Sequence, residues 1–288
     1  MEQLQQKWVM ACVDGSPNSE AVVDYAAWIA KTVQSPLELV HTLEHGLLLE
    51  HTDHSGNLTP NMRDDLIKTL SEDEQAESKK LIAEGKVLLE KAKVRIDASL
   101  IPQVMSKQRH GSLDETLVDL QDEIRVLVLG LRGEDHAEEE TGIGSQLENT
   151  IRALHKPIFI VNGAFKQPQS MMLAYNDTDG ARKALDMVCK SPLYKLMQVH
   201  LVHVSENESA GKALLLEAGF KLQEAGLSHQ TALLQGDAQN ALLHYQQQHN
   251  LDMTVMGAFS HGKLRSLFFG SFTLKMLKAN NKPILLLR

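Results

Sequence analysis

Cysteine is scarce in this chain: Cys12 and Cys189 are the two residues of that type among 288. A single distant pair builds neither a disulfide framework nor a metal knuckle. Long hydrophobic runs are missing too. No apolar stretch approaches the ~18–20 residues that a membrane span requires, so no membrane partner is expected. The opening residues, Met1-Glu2-Gln3-Leu4-Gln5-Gln6-Lys7, lack the architecture of a secretory signal, and the expected location is cytoplasmic. Positive charge is in deficit: 29 basic residues stand against 37 acidic ones, a net charge of −8. Nucleic-acid binders concentrate positive charge, so no nucleic-acid partner is expected either.

What is present is enough for two packed cores. Hydrophobic residues make up 43% of the chain and charged residues 23%, a globular composition, and the length suits two domains. The strongest signal is an internal repeat. Gly144-Ser145 is followed by Lys156-Pro157-Ile158-Phe159-Ile160-Val161, and Gly270-Ser271 by Lys282-Pro283-Ile284-Leu285-Leu286-Leu287, with twelve steps from glycine to lysine in each (144 to 156, 270 to 282). Val126–Gly130 matches Met253–Gly257. Val9–Ser16 parallels Met171–Thr178, and Leu37–His41 parallels Val199–His203, both at an offset of 162 (14 to 176, 37 to 199). The chain reads as a duplicated pair, joined across the short polar stretch Asn162–Ser170.

Each half alternates short apolar runs with longer amphipathic stretches, the pattern of βα units around a parallel sheet. Strands are expected near 8–13, 36–42, 94–100, 125–130 and 157–162, and again near 170–175, 198–204, 229–234, 252–257 and 283–288. Helices are expected at 19–32, 178–191, 144–155 and 270–280. The first half carries an insertion, roughly Glu44–Gln75, rich in His, Asp and Asn; it reads as a surface excursion with a helical piece after Thr59-Pro60.

Several residues could carry chemistry. Gly130-Leu131-Arg132-Gly133 follows a strand, and Gly144-Ser145 opens a helix; together they can offer backbone N–H groups and a hydroxyl to an anion, and glycine permits close approach. The same glycines could serve only tight loops and a helix cap. Asp14 ends the first strand, at the carboxyl edge where open α/β sheets bind ligands. It could accept from a ribose hydroxyl or an adenine amine, or it could cap the first helix. The second half repeats the arrangement with Asn176, Gly257, Ser260, Gly270 and Ser271. Gly257–Leu264 nearly spells a Walker loop, but Leu264 stands where a Mg²⁺-binding Ser or Thr is needed. His41, His45, His51 and His54 have no regular ligand spacing, and His41 has a repeat counterpart in His203. Met171, Met172, Met253 and Met256 read as core. No Ser/His/Asp or Cys/His arrangement stands out, and no carboxylate pair has a spacing that demands hydrolytic chemistry.

Asp14 after the first strand, Gly130-x2-Gly133, a spacer, Gly144-Ser145, then Lys156-Pro157 and a final aliphatic strand resemble the universal stress protein family. The duplication is similar to its tandem bacterial members. The resemblance implies an α/β fold: two tandem, open-twisted five-stranded parallel sheets flanked by helices, Rossmann-like and adenine nucleotide alpha hydrolase-like. The domains would be 1–163, with the insertion near 44–75, and 169–288. The last strands, Lys156–Val161 and Lys282–Arg288, would face each other as an internal pseudo-dimer, and two chains could pair again as a homodimer. Function follows as a stress-response regulatory module, binding ATP with Mg²⁺ in at least one half and acting on unknown protein partners. In that family the first-strand Asp contacts the nucleoside, while the glycine turn and Gly-Ser hold ribose and phosphates. Here those roles fall on Asp14, Gly130, Gly133, Gly144 and Ser145.

Both halves depart from the pattern. The first-half spacer is one residue longer and reads Glu134-Asp135-His136-Ala137-Glu138-Glu139-Glu140, acidic beside a triphosphate. The second half has the family spacing and a basic loop with His261, Lys263 and Arg265, but Ser260 replaces the middle glycine and Asn176 the aspartate. Intact Asp14 and its glycines favour the first half as the nucleotide site. The alternative is a protein-interaction or small-ligand stress protein whose nucleotide motifs are degenerate.

Overall fold

The computed structural model describes residues 7–43, 60–131, 145–258 and 271–288, with backbone alone for 60–75, 145–146 and 271. The first half runs β1 (Trp8–Cys12), α1 (Ser19–Val33), β2 (Leu37–Leu43), α2 (Pro60–Val94), β3 (Val104–His110), α3 (Leu113–Asp119), β4 (Ile124–Gly130), α4 (Ser145–Ala153) and β5 (Ile158–Val161). The second runs β6 (Ser170–Ala174), α5 (Asp179–Lys190), β7 (Gln198–Val204), α6 (Glu208–Glu224), β8 (His229–Leu234), α7 (Ala238–Gln248), β9 (Met253–Gly257), α8 (Ser271–Ala279) and β10 (Ile284–Leu287).

The strands form one sheet in the order β3-β2-β1-β4-β5-β10-β9-β6-β7-β8. Within each half the pairing is parallel, and the halves meet where β5 and β10 pair antiparallel, Phe159 opposite Leu285. The last strands therefore pair directly, and the two five-stranded units are continuous. Helices cover both faces, which is why the central strands are apolar on both sides. Val9 and Ala11 of β1 belong to the core on the face that α1, α2, α5 and α6 cover, whereas Met10 and Cys12 belong to the core on the face that α3, α4, α7 and α8 cover. Met171, Met172, Met253 and Met256 are buried in this sheet as expected.

Two sequence expectations need correction. The third strand is not at 94–100. Those residues end α2 and form a single 3-10 turn at Ala98–Leu100, capped by the Asp97 carboxylate accepting from Ser99 N at 3.1 Å. The strand is instead the polar segment Val104–His110, paired to β2 along its whole length. It lies at the sheet edge, so it needs no two-sided apolar pattern. The helical piece after Thr59-Pro60 does begin at Pro60, but it continues without a break to Val94; the end of the insertion and the second helix of the half are one helix.

The link between halves is tied to both. The Phe165 ring meets Tyr25 edge-on at 4.8 Å, and Tyr25 Oη donates to the Lys166 carbonyl at 3.2 Å. On the other side the buried Asp252 carboxylate accepts from Lys166 Nζ (2.6 Å), Gln169 N (2.9 Å) and Ser170 N (3.1 Å). Burial alone would raise the Asp252 pKa, but the Lys166 ammonium and the two backbone N–H groups outweigh it and hold the carboxyl below its usual range.

Candidate nucleotide site at the sheet switch points

In each half the chain leaves the first strand for one side of the sheet and later returns on the other. The crevice between β1 and β4, and its repeat between β6 and β9, are thus topological switch points, where open α/β sheets take ligands. The pairings Ala11 to Val128 and Ala174 to Met256 place Asp14 with Gly130 at the first crevice and Asn176 with Gly257 at the second. Ser145 and Ser271 are the first residues of α4 and α8. Arg132, Gly133, Gly144, Ser260 and Gly270 lie outside the described residues, as do the acidic stretch 134–140 and the basic residues His261, Lys263 and Arg265.

Asp14 is half-buried just past β1. Its Oδ1 accepts from Ser16 N at 3.0 Å and from Ser19 Oγ at 2.7 Å. Ser19 Oγ in turn accepts from the N–H groups of Asp14 (3.2 Å) and Gly15 (3.0 Å). The serine, itself buried, locks turn and carboxylate into one unit. The α1 N-cap residue is Asn18, without a side-chain cap bond, so Asp14 closes the turn and does not cap the helix. Among the described residues no donor reaches Oδ2.

The second crevice keeps the backbone and changes the side chains. Gly15 has φ +81° and its counterpart Asp177 φ +57°; both turns need the left-handed region, which a non-glycine residue enters at a cost. There the strain is offset by Arg182, whose Nε and Nη2 hold Asp177 at 2.9 and 3.1 Å, and by Tyr175 Oη, donating at 3.0 Å. The arginine holds the Asp177 carboxyl below its usual range, while burial and Asp177 push the Tyr175 phenol up to about 12. Asn176 is exposed, and its Oδ1 accepts from Thr178 Oγ1 at 2.8 Å. Ala181 stands where Ser19 does, so Asn176 has no serine to fix it.

Gly257 has a packing role that is independent of any ligand. A Cβ there would sit 2.5 Å from Ala181 N and 2.6 Å from Gly180 C. The first turn of α5 rests directly on the end of β9, and only glycine admits it.

Sequence reading missed the layer beneath the site. His41 Nδ1 donates to the Val13 carbonyl at 2.7 Å, and His203 Nδ1 to the Tyr175 carbonyl at 2.8 Å. Each histidine thus holds the peptide just before the site residue. Over each one a helix passes at a glycine: a Cβ on Gly85 would lie 2.6 Å from His41 Cδ2, and one on Gly211 3.4 Å from His203 Cδ2. The His41–His203 repeat and the glycines inside helical patterns were the available signals. Cys12 is buried in β1, and its burial pushes the thiol pKa up. Among the described residues no group of three His, Cys, Asp or Glu side chains could hold a metal, and no helix is long and apolar enough to cross a membrane.

Comparisons with known proteins agree with this architecture. The family model described as the universal stress protein family matches residues 7–162 and 208–288. Universal stress protein Slr1230 of a Synechocystis strain is 27% identical over 286 residues, covering 98% of this chain and all of that protein. A universal stress protein structure from Archaeoglobus fulgidus superposes with a TM-score of 0.70 at 17% identity, covering 99% of this chain and 96% of the other. A second, described as a putative universal stress protein from Pseudomonas aeruginosa, gives 0.63 at 17% identity with 98% and 93% covered. With the family model spanning all of the first half and the last part of the second, the chain belongs to the universal stress protein family.

Proposed function

We propose that this protein is a cytoplasmic stress-response module that binds an adenine nucleotide, ATP with Mg²⁺, at the β1/β4 switch point, and that binding regulates a protein partner. The observation that carries this reading is the Asp14 carboxylate. Two donors fix its Oδ1, so the group is oriented before any ligand arrives, and Oδ2 is left to accept from a ribose hydroxyl or adenine amine. Gly130 closes the strand beside it, and the start of α4 at Ser145 suits a phosphate at a helix N-terminus. Arg132, Gly133 and Gly144 complete the site in this reading. Asn176, Gly257, Ser260, Gly270 and Ser271 form its weaker repeat: Asn176 lacks the charge and the serine support, and Gly257 is committed to packing under α5. No described side chain is placed as a base for an attacking water, so hydrolysis is slow and nucleotide acts as a ligand. A ligand that favours one conformation shifts its population, and a partner reads that shift.

The test is to heat-denature freshly purified protein and resolve the released small molecules by chromatography with mass detection, then titrate the stripped protein with ATP and Mg²⁺. Released adenine nucleotide, or a saturable binding isotherm, supports the reading. An empty supernatant together with no binding heat overturns it in favour of an interaction module with vestigial motifs.

A further inference from the structure

The sheet ends in two edge strands, β3 and β8, and they are finished differently. Exposed edges invite pairing, and proteins guard them with charge. β3 carries Lys107 and Arg109. β8, His229-Gln230-Thr231-Ala232-Leu233-Leu234, has no Lys, Arg, Asp, Glu or Pro, and no strand pairs with its outer side among the described residues. Beside it α6 shows an apolar shelf: Leu216 is 61% exposed and Phe220 56%. Gly211, Leu215, Ala218, Gly219 and Leu222 of this helix face the sheet, and the Lys221 carbonyl accepts from Cys189 of α5 at 3.5 Å. At 3.6 residues per turn, Leu216 and Phe220 therefore lie on the flank away from α5, toward the open edge.

We infer that a second copy of this chain docks there, β8 pairing antiparallel with β8 about a two-fold axis and α6 packing against α6. The spacing fits that occupant. α6 lies over β7 and β8, so the two α6 axes would be two strand spacings apart, about 9.6 Å, within the about 8–10 Å at which helices pack. The register fits as well. A Cβ on Gly219 would lie 3.2 Å from His229 Nε2 and 3.7 Å from Thr231 Cγ2, which sets the middle of the α6 flank level with Gln230. An axis through Gln230 places Leu216 against Phe220 of the second copy. It also places Lys212, which pairs with Glu208 in its own helix, against Glu224 of the second copy, so charges match where the shelf ends. The molecule already joins its halves by antiparallel edge pairing, at β5 and β10.

The test is the oligomeric state of the full chain by size-exclusion chromatography with light scattering. The wild type elutes as a dimer. Thr231→Lys and Phe220→Glu each elute as monomers with unchanged circular dichroism, while Met105→Lys on the β3 edge stays dimeric. If an edge variant fails to fold, Gln230→Cys in a Cys189→Ser background decides. Directly opposed residues of antiparallel strands lie about 4.5–5.5 Å apart at Cα, within disulfide reach, so mild oxidation yields a covalent dimer that Met105→Cys does not give. A monomeric wild type, a dimer that survives both edge variants, or no cross-link through Gln230→Cys overturns the inference.

Discussion

At the end of β1 the left-handed position is Gly15 and the buried hydroxyl behind it is Ser19; at the end of β6 the same two places hold Asp177 and Ala181. The backbone path is common to both turns, and so is the histidine that holds the preceding carbonyl. What differs is which group the turn keeps fixed. In the first half Ser19 fixes Asp14, the residue at the mouth of the crevice. In the second, Arg182 and Tyr175 fix Asp177, one residue further on, and Asn176 is left outside that network. A duplicated fold can thus keep its backbone geometry at two crevices while the hydroxyl that fixes the side chain at the crevice mouth is present at one.

The largest stability difference between matching positions is expected where the halves are tied together. Asp252 occupies the repeat position of Arg125 (Val126 matching Met253 in the repeat), yet only Asp252 clamps the link. Asp252→Ala leaves the Gln169 and Ser170 N–H groups without their acceptor and should cost about 3 kcal/mol in urea denaturation. Arg125→Ala, on an exposed side chain, should stay within about 0.5 kcal/mol. Equal losses would erase the contrast. The pH dependence has a definite sign. The folded-state pKa of Asp252 lies below the unfolded value of about 3.9. Its contribution is therefore fully present above about pH 4 and is lost as pH falls through the folded value; the wild-type advantage over Asp252→Ala should shrink in that window.

Next in size is Gly257→Ala. The new Cβ would meet backbone atoms of α5 at 2.5 and 2.6 Å, and neither is a flexible side-chain end. A loss of about 2 kcal/mol is expected from the forced shift of α5 against β9. A neutral Gly257→Ala would return this glycine to the list of candidate ligand contacts.

Ser19→Ala is the smaller and sharper substitution, because it gives the first turn what the second already has. It removes three hydrogen bonds to one buried hydroxyl and should cost about 1–2 kcal/mol in thermal denaturation. Nucleotide affinity should fall with it, since Asp14 is no longer held. Retained affinity at reduced stability would show that Ser19 supports the fold alone.

Much of this was legible beforehand because the duplication checks itself. Lys156-Pro157 and Lys282-Pro283 announce β5 and β10, and Val126–Gly130 with Met253–Gly257 announce the strands that carry the site glycines. β3 was missed because an edge strand covered on one side can be as polar as Met105-Ser106-Lys107-Gln108-Arg109, while Val94-Arg95-Ile96 imitates a strand at the end of a helix. The position of Asp14 at the carboxyl edge of the sheet was readable from its place after an apolar strand. Its dependence on Ser19 was not, since a serine five residues on is compatible with many turns. Nothing local marks Asp252 either, because its partners Lys166, Gln169 and Ser170 lie more than eighty residues away in the chain. The packing of Gly257 under α5 is hidden for the same reason: its neighbours are Gly180 and Ala181.

The claim that the first half is the site is tested most directly by calorimetric titration of ATP and Mg²⁺ into the wild type, Asp14→Ala and Asn176→Ala. One site per chain is expected, weakened about 10- to 100-fold in Asp14→Ala through the loss of charge-assisted hydrogen bonds, and unchanged in Asn176→Ala. Undiminished binding in Asp14→Ala, or loss of the site in Asn176→Ala, would contradict it.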